Sequence, residues 1–586
     1  MEFFLEAYLS KLVKEAALTL PVFDATFDPE IRLADIRFGD FQANGLLAYL
    51  GEKKEDPRMW AQKLADLFAV HDSLFDVSVA GPGFLNFSLK DTALMQWLCK
   101  FHTTSSYQKI YRSTFFGHVV VIDYSSPNTA KCMHVGHLRS LVIGEALQRL
   151  IRFGGAIVVR DNHIGNWGTQ FGILLMQIKT SQYVFNNNPE ETVESLENLY
   201  QAGVLKTKEN ATALTQARQE LVKLQQGDME NVAIWERINR LSCRSFDRIY
   251  QRMGVEFDYV LGESFYRNKV EAVYDELTNC GLATVDQGAL VVFHPEHPRF
   301  CKQAFLVRKS DGASNYASTD LATVKYRVQE LRARDIIYVT DCRQRDHFEQ
   351  LFLTVKKWFQ AVDYRVPNMY HVYFGTVLDA DGKAIKTREG RPIRLHTLLN
   401  EAVKRAYNLI QEKSPNLSED EKRKVAEVVG LGAIKYADLS QERTGNYRFE
   451  WDKMINFDGN TAPYLLYAIA RIHAIFRKLN FNPDTVDFFE LQDVQSFSTA
   501  TERALAKKLI AFPSALDLTI RELKPHWLCR YLFDLAGTFS AFYNADKIIV
   551  EDEGDIQQMR LLLCSATLST LEMGLHLLGL DTLERM

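Results

Sequence analysis

The chain opens on MEFFLEAYLSKLVKEAALTL, where apolar positions recur at helical spacing among acids and lysines. That pattern predicts an amphipathic helix and lacks the basic start and clean apolar centre of a signal peptide. ADIRFGDFQANGLLAYL then reads as a strand, a turn and a helix start, and VSVAGPGFLNFSL as two strands hinged at Gly81-Pro82-Gly83. Further on, HVVVIDY (118–124) is a β-branched run too short for a helix. LRSLVIGEALQRLIRF (138–153) places apolar residues at 138, 141, 142, 146, 147, 150 and 151, one face of a helix. Gly154-Gly155 stops that helix in the manner of a left-handed C-cap, and AIVVR (156–160) supplies another buried strand. The result is a β-α-β unit with parallel strands and a right-handed crossover.

Residues at about 175–260 are mostly charged and helical in pattern, a connective insertion in the α/β core. ALVVF (289–293) and DIIYVT (335–340) resume the strand pattern, so the sheet is predicted to continue through both. From about 400 onward the spacing is nearly all helical, as in LLYAIARIHAIFRKL and MRLLLCSATLSTLEMGLHLLGL. The expected fold class is α/β: a Rossmann-type doubly wound core (115–395) with a small α+β N-terminal domain (1–110), followed by a helical junction (396–455) and an all-α C-terminal bundle (456–586). There is no internal repeat and no low-complexity tract.

A length of 586 residues is several times that of one domain, consistent with this division. The chain is 47% hydrophobic and 24% charged, and nothing approaches the ~18 uninterrupted apolar residues of a membrane helix, so no membrane crossing is expected. Eight cysteines, at 99, 132, 243, 280, 301, 342, 529 and 564, include no CxxC pair. Neither a zinc site nor a disulfide framework is encoded, and reduced thiols in the cytoplasm are the expectation. A net charge of −5 argues against a generally basic coat, although a local basic face suffices to attract phosphates.

The sharpest chemical feature is SSPNTAKCMHVGHLRS (125–140), between the first strand of the unit and its helix, where open parallel sheets bind nucleotides. His134 and His137 lie three apart at the first helical turn, so both can face one ligand where free N–H groups and the helix dipole favour negative charge. Gly136 leaves room for a purine or ribose to approach. Taken alone, HxxH also fits a metal site or a chance pair.

This segment resembles the HIGH motif of class I aminoacyl-tRNA synthetases in the form used by the arginyl-tRNA synthetases. The resemblance extends to DNHIGNWGTQFG (161–172), LQQGDMENVAIW (224–235), HVYFGTVLDADGKAIKTREG (371–390), YADLSQERTGNYRFEWDKMINFDGNTAPYLLYA (436–468) and LLGLDTLERM at the carboxyl end, essentially the whole chain. It implies ATP, accompanied by Mg2+, and L-arginine as substrates, with the amino-acid carboxylate attacking the α-phosphate. The protein then supplies positioning and charge rather than a nucleophile. By the same resemblance His134 and His137 hydrogen-bond the phosphates in the transition state, joined by Lys131. The second family motif, usually KMSKS, is represented by GKAIKTREG (382–390), a departure from the standard letters. Arg388, Lys386 and Lys383 are its candidate phosphate cations, although by composition alone this is a solvated basic turn.

A guanidinium is best held by a carboxylate in fork geometry. The resemblance places that reader in NYASTD, where Tyr316 and Asp320 share a face if a helix starts there, Asp320 pairing with the substrate and Tyr316 walling the pocket. It adds Gln344 in DCRQRDH, with Asp123, Ser126 and Asn128 holding the substrate's ammonium and carboxylate. The implied partner is tRNA(Arg). The bundle, with Tyr464, Tyr467, Arg471, Trp527, Arg530 and Tyr543, is assigned to the anticodon stem-loop and the N-terminal domain to the tRNA's outer corner. The expected enzyme is a cytoplasmic monomer that requires tRNA for amino-acid activation. Two other readings stay open: a different HxGH nucleotidyltransferase sharing the phosphate site but not the pocket, and a synthetase-like chain that only binds tRNA.

Overall fold

The computed structural model describes residues 3–34, 38–71, 74–108, 111–379, 381–383, 385, 392–483, 485, 486, 488, 490, 491, 494, 496–550 and 554–586. Its centre is a four-stranded sheet of β1 (Val119–Asp123), β2 (Ile157–Asp161), β3 (Asp335–Tyr338) and β4 (Asn368–His371), all parallel, in the order β4-β3-β1-β2. β1 is apolar without alternation because both of its faces are covered. Val120 and Ile122 join the core beneath the helix α1 (Val135–Phe153), whereas Val121 joins a second core. That second core includes Leu321 of α2 (Tyr316–Gln329) and Leu351 of α3 (Arg345–Ala361).

β1 runs through α1 to β2 on one side, and β3 lies on the other. The strand order therefore reverses between β1 and β3, and their carboxyl ends flank the crevice in which such sheets hold ligands. Helix α1 stops as its sequence predicts. Gly155 takes the left-handed conformation (φ 87°) one residue past Gly154, where a Cβ would strike the Phe116 ring.

One sequence expectation is corrected. Asp335–Tyr338 enters the central sheet, but Ala289–Val292 belongs to a separate antiparallel sheet with Ala283–Asp286 and Phe305–Arg308. Gln287 and Gly288 both have positive φ (49° and 79°), which makes a two-residue hairpin, and a loop that short can only join antiparallel neighbours.

The insertion comprises helices Thr169–Ser181, Pro189–Glu209, Ala211–Gln225 and Met229–Met253. The N-terminal region carries a four-stranded antiparallel sheet in which Ala80 pairs with Phe84 across the predicted Gly81–Gly83 hinge. Among the described residues the only strand of the C-terminal region is Tyr447–Arg448, which pairs in parallel with Val377–Leu378 and so ties the junction to the segment preceding residues 382–390.

Candidate active site

Helix α1 begins within the motif, at Val135. His134 is the N-cap and His137 the third helical residue, and the two side chains form a reciprocal capping box. His134 Nδ1 accepts the Gly136 N–H at 3.0 Å, and His137 Nδ1 accepts the His134 N–H at 3.1 Å. A ring nitrogen that accepts is unprotonated, so in each neutral imidazole the proton resides on Nε2, the atom free to donate outward. Burial holds both imidazoles neutral. It lowers the pKa of His134, with Glu197 opposing and Lys131 and Arg343 reinforcing, and it lowers that of His137 to about 3, with His134 and Lys131 adding to the effect.

Gly136 has the ring of His134 as a close neighbour. A Cβ there would come within 2.8 Å of His134 Cε1, so a side chain at this position would press on the histidine. Lys131 is half-buried with its ammonium 5.3 Å from the centre of the Tyr200 ring. Tyr200 and Glu197 lie on the insertion helix Pro189–Glu209, which therefore walls the site. Sequence reasoning missed both, since a charged helical insertion carries no local sign of which face turns inward.

The loop from β1 to α1 is held under strain. Ser125, Ser126 and Ala130 have φ of 72°, 45° and 61°, a left-handed backbone that costs about 1–3 kcal/mol per non-glycine residue. Compensating hydrogen bonds run from the Ser125 N–H to Ser140 Oγ (2.8 Å), from the Thr129 N–H to the Gly165 carbonyl (3.1 Å) and from the Ala130 N–H to Ser242 Oγ (2.9 Å). Asn128 lies so close to Gly165 that a Cβ there would sit 1.9 Å from Asn128 Oδ1.

Asp123 is buried with both oxygens engaged. Oδ1 accepts Ser126 Oγ at 2.8 Å and Oδ2 accepts Arg327 Nη2 at 2.6 Å. Both carboxylate oxygens thus have partners within the protein, one of them the Ser126 hydroxyl.

Across the crevice, α2 begins at Tyr316, with Asn315 as its capping residue, so Tyr316 and Asp320, four apart, lie on one helix face a turn from each other. Tyr316 is 69% exposed and Asp320 is half-buried. Asp320 Oδ2 lies 2.6 Å from His347 Nε2. Burial opposes charge on His347, but this contact outweighs it and raises the imidazole's pKa.

A second acid lies near enough to Asp320 to feel its charge. Glu263 opens the short helix Glu263–Tyr266, docked on the 161–172 segment through Glu263 N–H to the Ile164 carbonyl (3.1 Å) and Ser264 N–H to Asn166 Oδ1 (3.0 Å). Burial, then the charge of Asp320, pushes the Glu263 carboxyl up to about 7. Burial together with Glu263, Asp320 and Tyr200 also raises the Tyr316 phenol, so Lys131, Tyr200, Tyr316 and the two acids form a chain of neighbours linking the α1 terminus to the α2 terminus. No sequence signal marks Glu263, an isolated acid at the edge of a charged insertion.

Cys342–Gln344 follows β3 as a short turn of helix, where Gln344 and Arg343 are exposed. Lys383 is also exposed, its N–H donating to Asp379 Oδ1 at 2.9 Å. Lys386 and Arg388 lie outside the described residues. Both flanks of their segment are placed: the Ile385 N–H bonds the Val377 carbonyl (3.3 Å), and Val135 and Leu395 exchange main-chain bonds with Ile393 and Met133 (3.0 and 2.9 Å). Buried Arg139 fastens α1 to the same region, donating to the carbonyls of Gly375 (2.8 Å) and Gly445 (3.1 Å) and pairing with Asp438 at 3.0 Å. Among the described residues no group of three or more His, Cys, Asp or Glu could hold a metal ion, and no helix is long and apolar enough to cross a membrane.

Such an end of a parallel sheet offers neutral donors and a lysine on one lip and paired carboxylates on the other, which suits a phosphate and a cation held together. Comparison with known proteins agrees. The description "tRNA synthetases class I (R), catalytic domain" matches residues 105–451, "Arginyl tRNA synthetase N terminal domain" matches 5–89 and "DALR anticodon binding domain" matches 465–586. An arginine–tRNA ligase of Marinomonas sp. is 40% identical over 558 residues, covering 94% of this chain and 95% of its own, and one of Haemophilus influenzae is 39% identical over 588 residues, covering 99% and 100%. Among solved structures, the arginyl-tRNA synthetase of Plasmodium falciparum superposes with a TM-score of 0.81 at 28% identity over 100% of both chains, and that of Thermus thermophilus shares the fold at 0.81 and 23%, also over 100% of both. The catalytic match spans more than half of the chain and the relatives align along nearly all of it, so the chain belongs to the arginyl-tRNA synthetases, class I ligases that join arginine to tRNA.

Proposed function

We propose that arginine is activated in the crevice between the α1 and α2 termini, with roles divided by chemistry. His134 and His137 donate through Nε2 to the ATP phosphates, and the Lys131 ammonium neutralises charge that grows as the arginine carboxylate attacks the α-phosphate and pyrophosphate departs. Lys383, Lys386 and Arg388 approach the phosphates from the second loop. Asp320 and Glu263 face the substrate guanidinium, Tyr316 walls it, and Gln344, Ser126 and Asn128 receive its ammonium and carboxylate, with Asp123 acting through Ser126. The tRNA 2′-hydroxyl then attacks the adenylate. Magnesium enters as the ATP complex, because the groups around residues 131–137 are a cation and nitrogen donors rather than the oxygen ligands it prefers.

The observation that carries this reading is the pair of Nδ1 atoms both accepting main-chain N–H groups, which leaves two Nε2–H donors side by side with Lys131. On the bundle, Arg471 is sandwiched between the exposed rings of Tyr467 and Tyr543, 4.7 and 4.6 Å from their centres, a platform suited to a splayed anticodon base. The domain division expected from sequence, a monomeric state, cytoplasmic location and a requirement for bound tRNA in the first step complete the proposal.

Pyrophosphate exchange tests it. Exchange with arginine and ATP should appear only when tRNA(Arg) is added, and Asp320→Ala should abolish it at ordinary arginine concentrations. Strong exchange without tRNA contradicts the tRNA requirement, and undiminished arginine-dependent exchange by Asp320→Ala contradicts the pocket.

A further inference from the structure

Arg327 lies fully buried on α2, seven residues beyond Asp320 and so on the same helical face. Asp123 and Asp161 are register partners at the ends of β1 and β2, and Tyr338 is the partner of Asp123 on β3. The Arg327 guanidinium reaches all three. Nη2 donates to Asp123 Oδ2 (2.6 Å) and Asp161 Oδ2 (2.7 Å), Nε donates to Asp161 Oδ2 (3.2 Å), and the group sits 5.2 Å from the centre of the Tyr338 ring. One side chain thus clasps three adjacent strand ends from the helix that bears Asp320.

Net stability does not account for this arrangement. Three buried charges lose hydration comparable to what they regain by pairing, and apolar residues of similar volume often do as well. What the rigid fork of an arginine adds is geometry, fixing the height and rotation of α2 against β1 and β2 where apolar packing would tolerate sliding. Asp123 also begins the strained loop that ends at His134. The contact therefore sits between the two lips of the crevice. It also occupies Asp123 and Asp161 with an internal guanidinium, whereas Asp320 meets, among the described residues, only the imidazole of His347, through Oδ2, and Glu263 lies beside it.

We infer that Arg327 is a positioning residue of the synthetase reaction, setting the distance between the guanidinium-reading carboxylate on α2 and the phosphate-binding histidines on α1. A bound arginine spans that distance, so its carboxylate meets the α-phosphate only when the two helix termini hold their spacing. This rests on the reading of Asp320 as the guanidinium partner.

The test compares Arg327→Lys, Arg327→Met, Asp161→Asn and Asp320→Ala in the full chain. Steady-state aminoacylation is normalised to active sites, with KM measured separately for arginine and ATP and thermal midpoints recorded. Arg327→Lys keeps a buried cation but not the fork. Its kcat/KM for arginine should fall ~10- to 100-fold, the scale of a misplacement near 1 Å, with the ATP KM nearly unchanged. Asp161→Asn should fall less, since Asp123 still holds Arg327, and Arg327→Met more. Should Arg327→Met fail to fold, the lysine and asparagine variants decide. A lowered midpoint with unchanged kcat/KM per active site in Arg327→Lys overturns the inference. If Asp320→Ala leaves the arginine KM unchanged, the pocket reading fails and takes the inference with it; if only Asp320→Ala is impaired, the inference alone fails.

Discussion

His137 accepts the main-chain N–H of His134 through Nδ1 at 3.1 Å, and the two rings stand 4.1 Å apart. The helix that presents these side chains also sets their tautomers, because each Nδ1 is occupied by a backbone donor. Replacing either histidine with alanine should lower kcat for adenylate formation by ~10²–10³, the usual cost of one preorganised donor, with the arginine KM little changed. Single-turnover adenylate formation with bound tRNA measures this. A loss confined to tRNA affinity would refute the role.

The same imidazoles carry a stability signature. His137 is held at about 3, so as pH falls below 6.5 the unfolded chain binds the proton first. Its contribution is complete above pH 6.5 and is lost progressively between 6.5 and 3. Denaturant titrations over that range should show a decline that His137→Gln reduces.

Gly136→Ala should separate stability from activity. The helix gains up to about 1 kcal/mol from alanine, whereas the new Cβ, 2.8 Å from His134 Cε1, forces that ring aside. We expect an unchanged or slightly raised melting temperature with kcat reduced about tenfold or more, since a displaced donor loses most of its transition-state hydrogen bond.

Glu263 predicts a pH dependence of substrate binding. Its carboxyl titrates at about 7 while arginine stays cationic, so the arginine KM should fall as pH rises from 6 to 8 and then level off. The sign for the free protein is opposite. Between pH 4.5 and 7 the native state holds a proton that the unfolded chain has lost, so this group's contribution to stability declines as pH rises through that window. Glu263→Gln should raise the arginine KM and flatten both profiles, as measured by initial rates and thermal melts across the range.

Tyr467→Ala and Tyr543→Ala should each weaken tRNA binding by about 1–3 kcal/mol, the scale of one lost base–aromatic stack. Filter binding or fluorescence titration with tRNA(Arg) reads this directly. Equal losses with a non-cognate tRNA would mean the platform stacks without reading sequence.

Local pattern determined much of this protein from its sequence. The run 119–123, the apolar face of 138–153 and the glycines at 154–155 specify a buried strand, a helix and its stop, because period, branching and φ preference act over a few residues. The motif's place after a strand likewise put His134 and His137 at a helix start, and the family resemblance picked out Tyr316 and Asp320, which share a helix face. Tertiary structure decided the rest, since those contacts join residues far apart in the chain. Glu263 comes under the charge of Asp320 only because a four-residue helix docks on the 161–172 segment, and Arg327 meets Asp123 and Asp161 only through strand register. Ala289–Val292 reads like a strand of the main sheet and is diverted by a two-residue hairpin turn. A side chain's type states what it can bind, but its partner is chosen by the distance the folded backbone leaves between them.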